Sequence, residues 1–289
     1  YQDLSYKLNF PMKKGNLSLF GFGGKSHISF DFPEDDPTNT MNWTGVSNDG
    51  SKSLFSGLNY TRFLGKSTRL VTSIAYSTRR PNANEDYFTD DVFVENRIGY
   101  EDIETKYIVS TKLISKLNPK NIITAGTRIE RANVSSENYY NYVENDTIRR
   151  DSYNIFEADE LYILNSYVDY KHKFSDQFSV NAGAHYQHFF YNNTYNIEPR
   201  ASLKYEINNK SKIALAYGLH SQLQPLFFYF LKGDNDIVEL NDQLDFTKSH
   251  QIVLGYDHLF SKNFRLKAEV YYQHLTDLPI SDNFKYESI

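Results

Sequence analysis

The sequence predicts an all-β fold: an antiparallel transmembrane β-barrel segment of about twelve strands, with short periplasmic turns and long extracellular loops. Three observations predict it. Amphipathic segments of period two come in pairs, a tight turn, lysine-bearing in five of six cases, closes each pair, and mostly long acidic stretches connect one pair to the next.

The period is clearest from Phe264 to Gln273. Phe264, Leu266, Ala268, Val270 and Tyr272 alternate with Arg265, Lys267, Glu269, Tyr271 and Gln273. Successive strand residues point to opposite faces, so one face is oily and the other charged. Ile213, Leu215, Tyr217 and Leu219 share a face in the same way, and the rule holds from Ala201 to Ile207. In a soluble sandwich the oily face would meet a second sheet; in an outer-membrane barrel it meets lipid and the polar face lines a wet lumen. Pattern alone does not choose between them.

Taken in order, the expected strands cover approximately residues 2–10, 16–30, 51–63, 68–80, 101–116, 121–134, 159–174, 177–191, 197–207, 211–221, 247–260 and 263–275. The turns inside hairpins fall at Pro11-Met12-Lys13-Lys14-Gly15, Gly65-Lys66-Ser67, Asn118-Pro119-Lys120, Ser175-Asp176, Asn208-Asn209-Lys210 and Ser261-Lys262, all rich in turn-forming residues. Between hairpins lie residues 31–50, 81–100, 135–158, 192–196 and 222–246, read here as loops. The hairpins recur roughly every fifty residues, which raises a kelch-type propeller. Such a blade needs four strands, whereas each period here supplies two long ones. Strands of about ten residues or more, tilted near 45°, cross the roughly 25 Å apolar band of an outer membrane, and sandwich strands are usually shorter. Length and the unequal connections favour the barrel.

Composition agrees. The 289 residues include 24 Tyr and 21 Phe against one Trp, in a chain of negative mean hydropathy, which suits aromatic girdles on an otherwise polar barrel. No stretch approaches the roughly 18–20 apolar residues of a membrane helix, so any crossing must use strands. The absence of cysteine excludes disulfides and thiolate chemistry. Starting at Tyr1 with neither methionine nor signal segment, the chain reads as a piece of a longer precursor.

Charge gives the ends different characters. The stretches 31–50, 81–100 and 222–246 are acidic, through residues such as Asp35, Asp36, Asp90, Asp91, Asp234 and Asp236, whereas the turns hold Lys13, Lys14, Lys66, Lys120, Lys210 and Lys262. Barrels of this kind carry long loops outside and short turns on the periplasmic side. Simple solvation of loops accounts for charge, though not for its division by sign.

The stretches Ser249–Asp257, Leu266–Leu275 and Asp277-Leu278-Pro279-Ile280 resemble the barrel of TonB-dependent outer-membrane receptors of the Bacteroidetes type. Asn196–Tyr205 is similar to a mid-barrel strand of that family, and Tyr217–Pro225 to the strand end that follows it; the likeness is densest over residues 196–280. The resemblance implies a barrel of roughly 22 strands around a plug. It implies location in the bacterial outer membrane, with partners that are outer-membrane lipid, the missing strands and plug of the same receptor, a TonB-type energy transducer and a surface lipoprotein. It also implies import of a bulky nutrient: a glycan, a peptide or a metal chelate. Residues 1–289 would then be an internal, partial barrel domain lacking the plug and the closing strands. A receptor-like barrel serving as a structural subunit without transport is the rival reading, and a soluble adhesin or sandwich a third.

Chemistry is sparse. Gly23-Gly24-Lys25-Ser26 would need a glycine where Leu19 stands to make a phosphate loop, and Gly65-Lys66-Ser67 fails likewise at Tyr60. His185 and His188 fall on opposite faces of a strand, which argues against a shared metal. No Gly-x-Ser-x-Gly elbow frames a nucleophile, so no enzyme and no catalytic residue is expected. A net charge of −5 opposes nucleic-acid binding. No cofactor is implied; the acidic loops have room for a loosely bound divalent cation.

Two groups of candidate residues follow. Trp43, Tyr139, Tyr140, Tyr142, Phe228 and Tyr229 cluster with other aromatics in the long connections and could stack on a ligand, while the plainer reading has them pack the loops together or form a girdle. Phase points Arg200, Lys204, Glu206, His220, Lys267, Glu269 and Gln273 toward the lumen, where such residues touch plug or ligand, or simply solvate the wall.

Overall fold

The computed structural model describes residues 1–32, 45–89, 92–144, 147–230 and 241–279. Twelve strands form one sheet: β1 Gln2–Met12, β2 Gly15–Phe32, β3 Gly45–Leu64, β4 Thr68–Thr89, β5 Val92–Asn118, β6 Asn121–Glu144, β7 Thr147–Lys173, β8 Phe178–Phe189, β9 Thr194–Asn208, β10 Ser211–Gln222, β11 Thr247–Ser261 and β12 Phe264–Thr276. Each pairs with its sequence neighbour in an unbroken order from β1 to β12, and every pairing is antiparallel. Among the described residues the sheet does not close on itself, and β1 and β12 are its edges. Strand number, hairpin order and the antiparallel all-β class are those read from the sequence.

Three connections differ from the loops expected of them. Residues 81–100 and 135–158 largely continue as paired strand, β4 and β5 pairing across a bulge as far as Thr89↔Val92 and β6 and β7 across two bulges as far as Glu144↔Thr147, while the described part of 31–50 pairs β2 with β3 as far as Phe32↔Gly45. Acidic residues made these stretches look like loops. They also carry β-formers such as Phe93, Val94, Ile98, Tyr100, Tyr139, Tyr140 and Tyr142; a sheet wetted on both faces accepts charge on either. At about 3.3 Å per residue, the 27-residue β5 and β7 are far longer than a roughly 25 Å apolar band requires. The sheet is therefore tall from β3 to β7 and low from β8 to β12.

The registers sort the side chains. One row runs Leu203↔Leu215↔Leu254↔Val270 across four strands, and all four are 41–73% exposed. Further along the same face stand Tyr170, Val168, Val109, Ile74, Leu58, Leu8 and Leu4, each among the exposed large apolar residues. The opposite face carries the ion pairs Lys106–Glu104, Arg128–Glu130 and Lys204–Glu206. Bulky aromatics are accommodated by facing glycines: a Cβ on Gly126 would sit 2.7 Å from the Tyr167 ring, and one on Gly99 would sit 2.4 Å from the Tyr139 oxygen.

The buried cluster is small and lies at the long-connection end. It joins Ala132 and Val134 of β6, Ala158, Leu161 and Ile163 of β7, and Phe189 of β8 to Leu226, Tyr229 and Phe246 from the β10–β11 connection. Most of the sheet thus holds together through ladders and cross-strand pairs, without a conventional core.

Candidate functional site

The polar face is organised around the start of β9, Asn196-Ile197-Glu198-Pro199-Arg200. Pro199 has no N–H, and the β9–β10 ladder ends at Arg200↔Gly218, although β10 and β11 stay paired as far as Gln222↔Thr247. The β10 backbone beyond Gly218 must therefore find acceptors elsewhere. Glu198 supplies one: its Oε1 accepts from Ser221 N at 2.9 Å, from the Ser221 hydroxyl and from Gln187 Nε2 at 2.6 Å. Its Oε2 is bonded to His185 Nδ1 at 3.0 Å and to the Arg200 guanidinium. Glu198 has no exposed surface, and a carboxylate that deep is tolerable only with its lone pairs filled and a cation beside it. It acts as a fixed anion holding Arg200 and His185 in place.

A recess of about 500 Å³ opens beside them, lined by Lys112, Thr124, Tyr167, Asp169, His185 and Arg200 among others. A smaller one, about 180 Å³, continues along Arg200, Ser202, His220 and Gln251. His220 folds back over Gly218, where an added Cβ would come within 2.7 Å of its Nε2. The Nε of Arg200 and the Nδ2 of Asn196 are buried without a partner.

All seven residues assigned by phase to the wall fall on this one face. Register rows connect Arg200 through Gly218 and Gln251 to Gln273, Glu206 through Lys212 and Asp257 to Lys267, and Lys204 through Ala214 and Gly255 to Glu269, while His220 faces Ser249. Lys204–Glu206 and Lys267–Glu269 are ion pairs of 2.6 and 2.7 Å between side chains 43–61% exposed, so they set local charge more than stability. His185 shares the polar face opposite Glu198, and His188 lies on the apolar face opposite Tyr195, the separation their spacing predicts. Sequence reasoning missed the partners of Glu198, because Gln187 and Ser221 lie 11 and 23 residues away. The local signal was a charged pair flanking a proline inside a strand.

The aromatic candidates separate into distinct places. Tyr140 and Tyr142 stack with each other, centroids 6.0 Å apart. Tyr139 projects from the other face of β6, under the Arg150 guanidinium at 4.1 Å. Phe228 is 39% exposed beside Phe227, whereas Tyr229 is fully buried against Phe189 at 5.0 Å, and burial pushes its phenol up to about 12. Tyr229 thus packs its 3-10 helix, Leu226–Phe230, onto the sheet. Asn192 fastens the same connection by donating to the carbonyls of Asp242 and Leu244, both at 3.0 Å. Trp43 lies outside the described residues, as do the acidic residues Glu34, Asp35, Asp36, Asp234, Asp236 and Glu239.

No protein-family model and no curated protein matches the chain. Solved structures do. The chain is similar to the ferric yersiniabactin uptake receptor FyuA of Yersinia pestis, at 11% identity and TM-score 0.63 over 95% of this chain and 42% of that one. It is similar to the outer membrane transporter YddB of Escherichia coli, at 15% identity and TM-score 0.63 over 94% and 46%. It also matches FpvA of P. aeruginosa, solved in complex with a pyoverdine and iron, at 11% identity and TM-score 0.65 over 93% and 41%. At such identities the likeness is one of fold, and the chain spans less than half the length of each.

Proposed function

We propose that this chain is part of the wall of an outer-membrane uptake receptor of the TonB-dependent kind, in which the apolar face meets lipid and the Glu198–Arg200 face lines the lumen. The observation that carries the reading is the pairing of one unbroken apolar face, twelve strands wide, with a charged opposite face. Such a face is unsuited to water and suited to hydrocarbon. The solved structures of similar fold support it, being uptake receptors and transporters.

An open sheet leaves two rows of unpaired backbone groups, which hydrocarbon cannot satisfy. Further strands of the same receptor, and a plug against the lumen wall, would complete the barrel. A TonB-type transducer would supply energy, and a surface lipoprotein could cover the mouth. The motifs over residues 196–280 support the Bacteroidetes type. The cargo would be a bulky nutrient (glycan, peptide or metal chelate), taken up without chemical conversion.

The test is deletion of the full-length gene, followed by uptake of labelled ferric siderophores, oligosaccharides and peptides by whole cells. Loss of uptake of one class, restored by the intact gene, is the expected result. Unchanged uptake of all three, with the protein present in the outer membrane, would point to the structural-subunit role.

A further inference from the structure

Two hairpins of the sheet, 86 residues apart, share five of nine residues and the same ring contacts. Tyr170-Lys171-His172-Lys173-Phe174-Ser175-Asp176-Gln177-Phe178 ends β7 and opens β8; Tyr256-Asp257-His258-Leu259-Phe260-Ser261-Lys262-Asn263-Phe264 ends β11 and opens β12. Tyr, His and Phe alternate along the apolar face toward the turn. His172 lies edge-on to Phe174 at 4.4 Å and His258 to Phe260 at 4.3 Å. Each phenylalanine then meets the one that opens the next strand, at 5.4 Å for Phe174–Phe178 and 5.1 Å for Phe260–Phe264.

The neighbouring hairpin completes each unit in the same manner. His172 Nδ1 is hydrogen-bonded to Asn121 Oδ1 at 2.6 Å, and His258 Nδ1 to Ser211 Oγ at 2.7 Å. Asn121 and Ser211 each open a strand directly after a turn lysine, Lys120 or Lys210. The carbonyls of those lysines accept from Lys173 N and Leu259 N, both at 2.8 Å. Their amides are turned by Asn118 Oδ1 at 2.9 Å and Asn208 Oδ1 at 2.8 Å. Both lysines are exposed, and no ion pair holds either among the described residues.

From this duplication we infer that the short-turn end of the apolar face holds two equivalent sites for the phosphate of a membrane phospholipid, one at Lys120/His172 and one at Lys210/His258. The inference rests on the barrel reading, since it needs the apolar face to be in lipid. Tyr170 and Tyr256 mark the last apolar level, and the phenylalanine pairs form a platform at the depth where aromatic rings favour an interface. The polar groups at that level are cationic or hydrogen-bonding. With Nδ1 engaged, each imidazole leaves Nε2 at its outer edge, a donor in the protonated ring. A phosphate diester answers that arrangement, with its oxygens at the lysine and imidazole and its glycerol and acyl chains on the Phe pair. The excess of lysine over carboxylate in the six turns supplies the complementary charge.

The test uses the full-length protein in mild detergent, with native mass spectrometry counting retained lipid against added phosphatidylglycerol, phosphatidylcholine or a galactosyl diacylglycerol lacking phosphate. Both phospholipids should be retained in preference to the galactolipid, and Lys120→Gln with Lys210→Gln should weaken retention about fivefold per site. His172→Gln with His258→Gln should weaken it further, and Lys66→Gln, at a turn without the motif, should change nothing. Equal retention of the galactolipid, or insensitivity to the paired substitutions in protein that still inserts into membranes, overturns the inference and leaves the barrel standing. A full-length protein that needs neither detergent nor lipid contradicts the barrel itself.

Discussion

Glu198 shows how much one residue can settle in this fold. It replaces a backbone acceptor that the β9–β10 ladder stops providing, and in doing so fixes Arg200 and His185 on the polar face. Glu198→Gln keeps the shape but removes the charge, and its amide nitrogen must point at a donor. The expected loss of stability is about 1–3 kcal/mol, at the lower end because Arg200 is 41% exposed and water screens it. Guanidinium unfolding of the refolded full-length protein reads it directly; an unmoved midpoint would show that the carboxylate is not holding the wall. The sequence displayed Glu198 beside Pro199 and Arg200, but its hydrogen-bond partners come from other strands and depend on register. Likewise Tyr229 looked as available as Phe228; only the packing of the connection onto Phe189 distinguishes them.

Among the elements, legibility followed burial of one face. Strands β8 to β12, with 12–15 residues each, were read almost to their ends, because each alternates between one apolar and one polar face. The far ends of β3 to β7 were not, since their sequences are polar enough there to resemble a loop. Their pairing is carried by aromatic and β-branched residues within an acidic stretch, a weaker signal than alternation. The duplicated Tyr-x-His-x-Phe hairpins are plain in the sequence once the turns are aligned, and their meaning came from the matching hydrogen bonds. Alternation itself makes an element-level prediction. Leu254→Arg, on the apolar face of β11, should destabilise the full-length protein in bilayers by about 2–4 kcal/mol if it sits near the midplane. Gln251→Arg, three residues away on the polar face, should cost far less. Equal costs, measured by denaturant unfolding from liposomes, would mean that the two faces share one environment.

At the scale of the whole molecule, twelve strands in strict sequence order with open edges describe a wall, and the matched structures are more than twice as long as this chain. The tall part, β3 to β7, and the low part, β8 to β12, give that wall an uneven rim, with the packed β10–β11 connection seated where the two meet. The fold class and hairpin order were legible because each strand alternates over at least part of its length; the cargo was not, because no side chain among the described residues has a chemistry that names it. A barrel in the outer membrane requires the two faces of the sheet to meet different surroundings. The chain contains no cysteine, so single cysteines can be placed in the full-length protein at Leu203, Leu215 and Leu254 and at their neighbours Ser202, Ala216 and Val253, then spin-labelled in bilayers. Power saturation should show the first three favouring oxygen, as in hydrocarbon, and the second three favouring a water-soluble nickel chelate, with strict alternation along each strand. Labels on both faces responding alike to the nickel chelate would contradict the account.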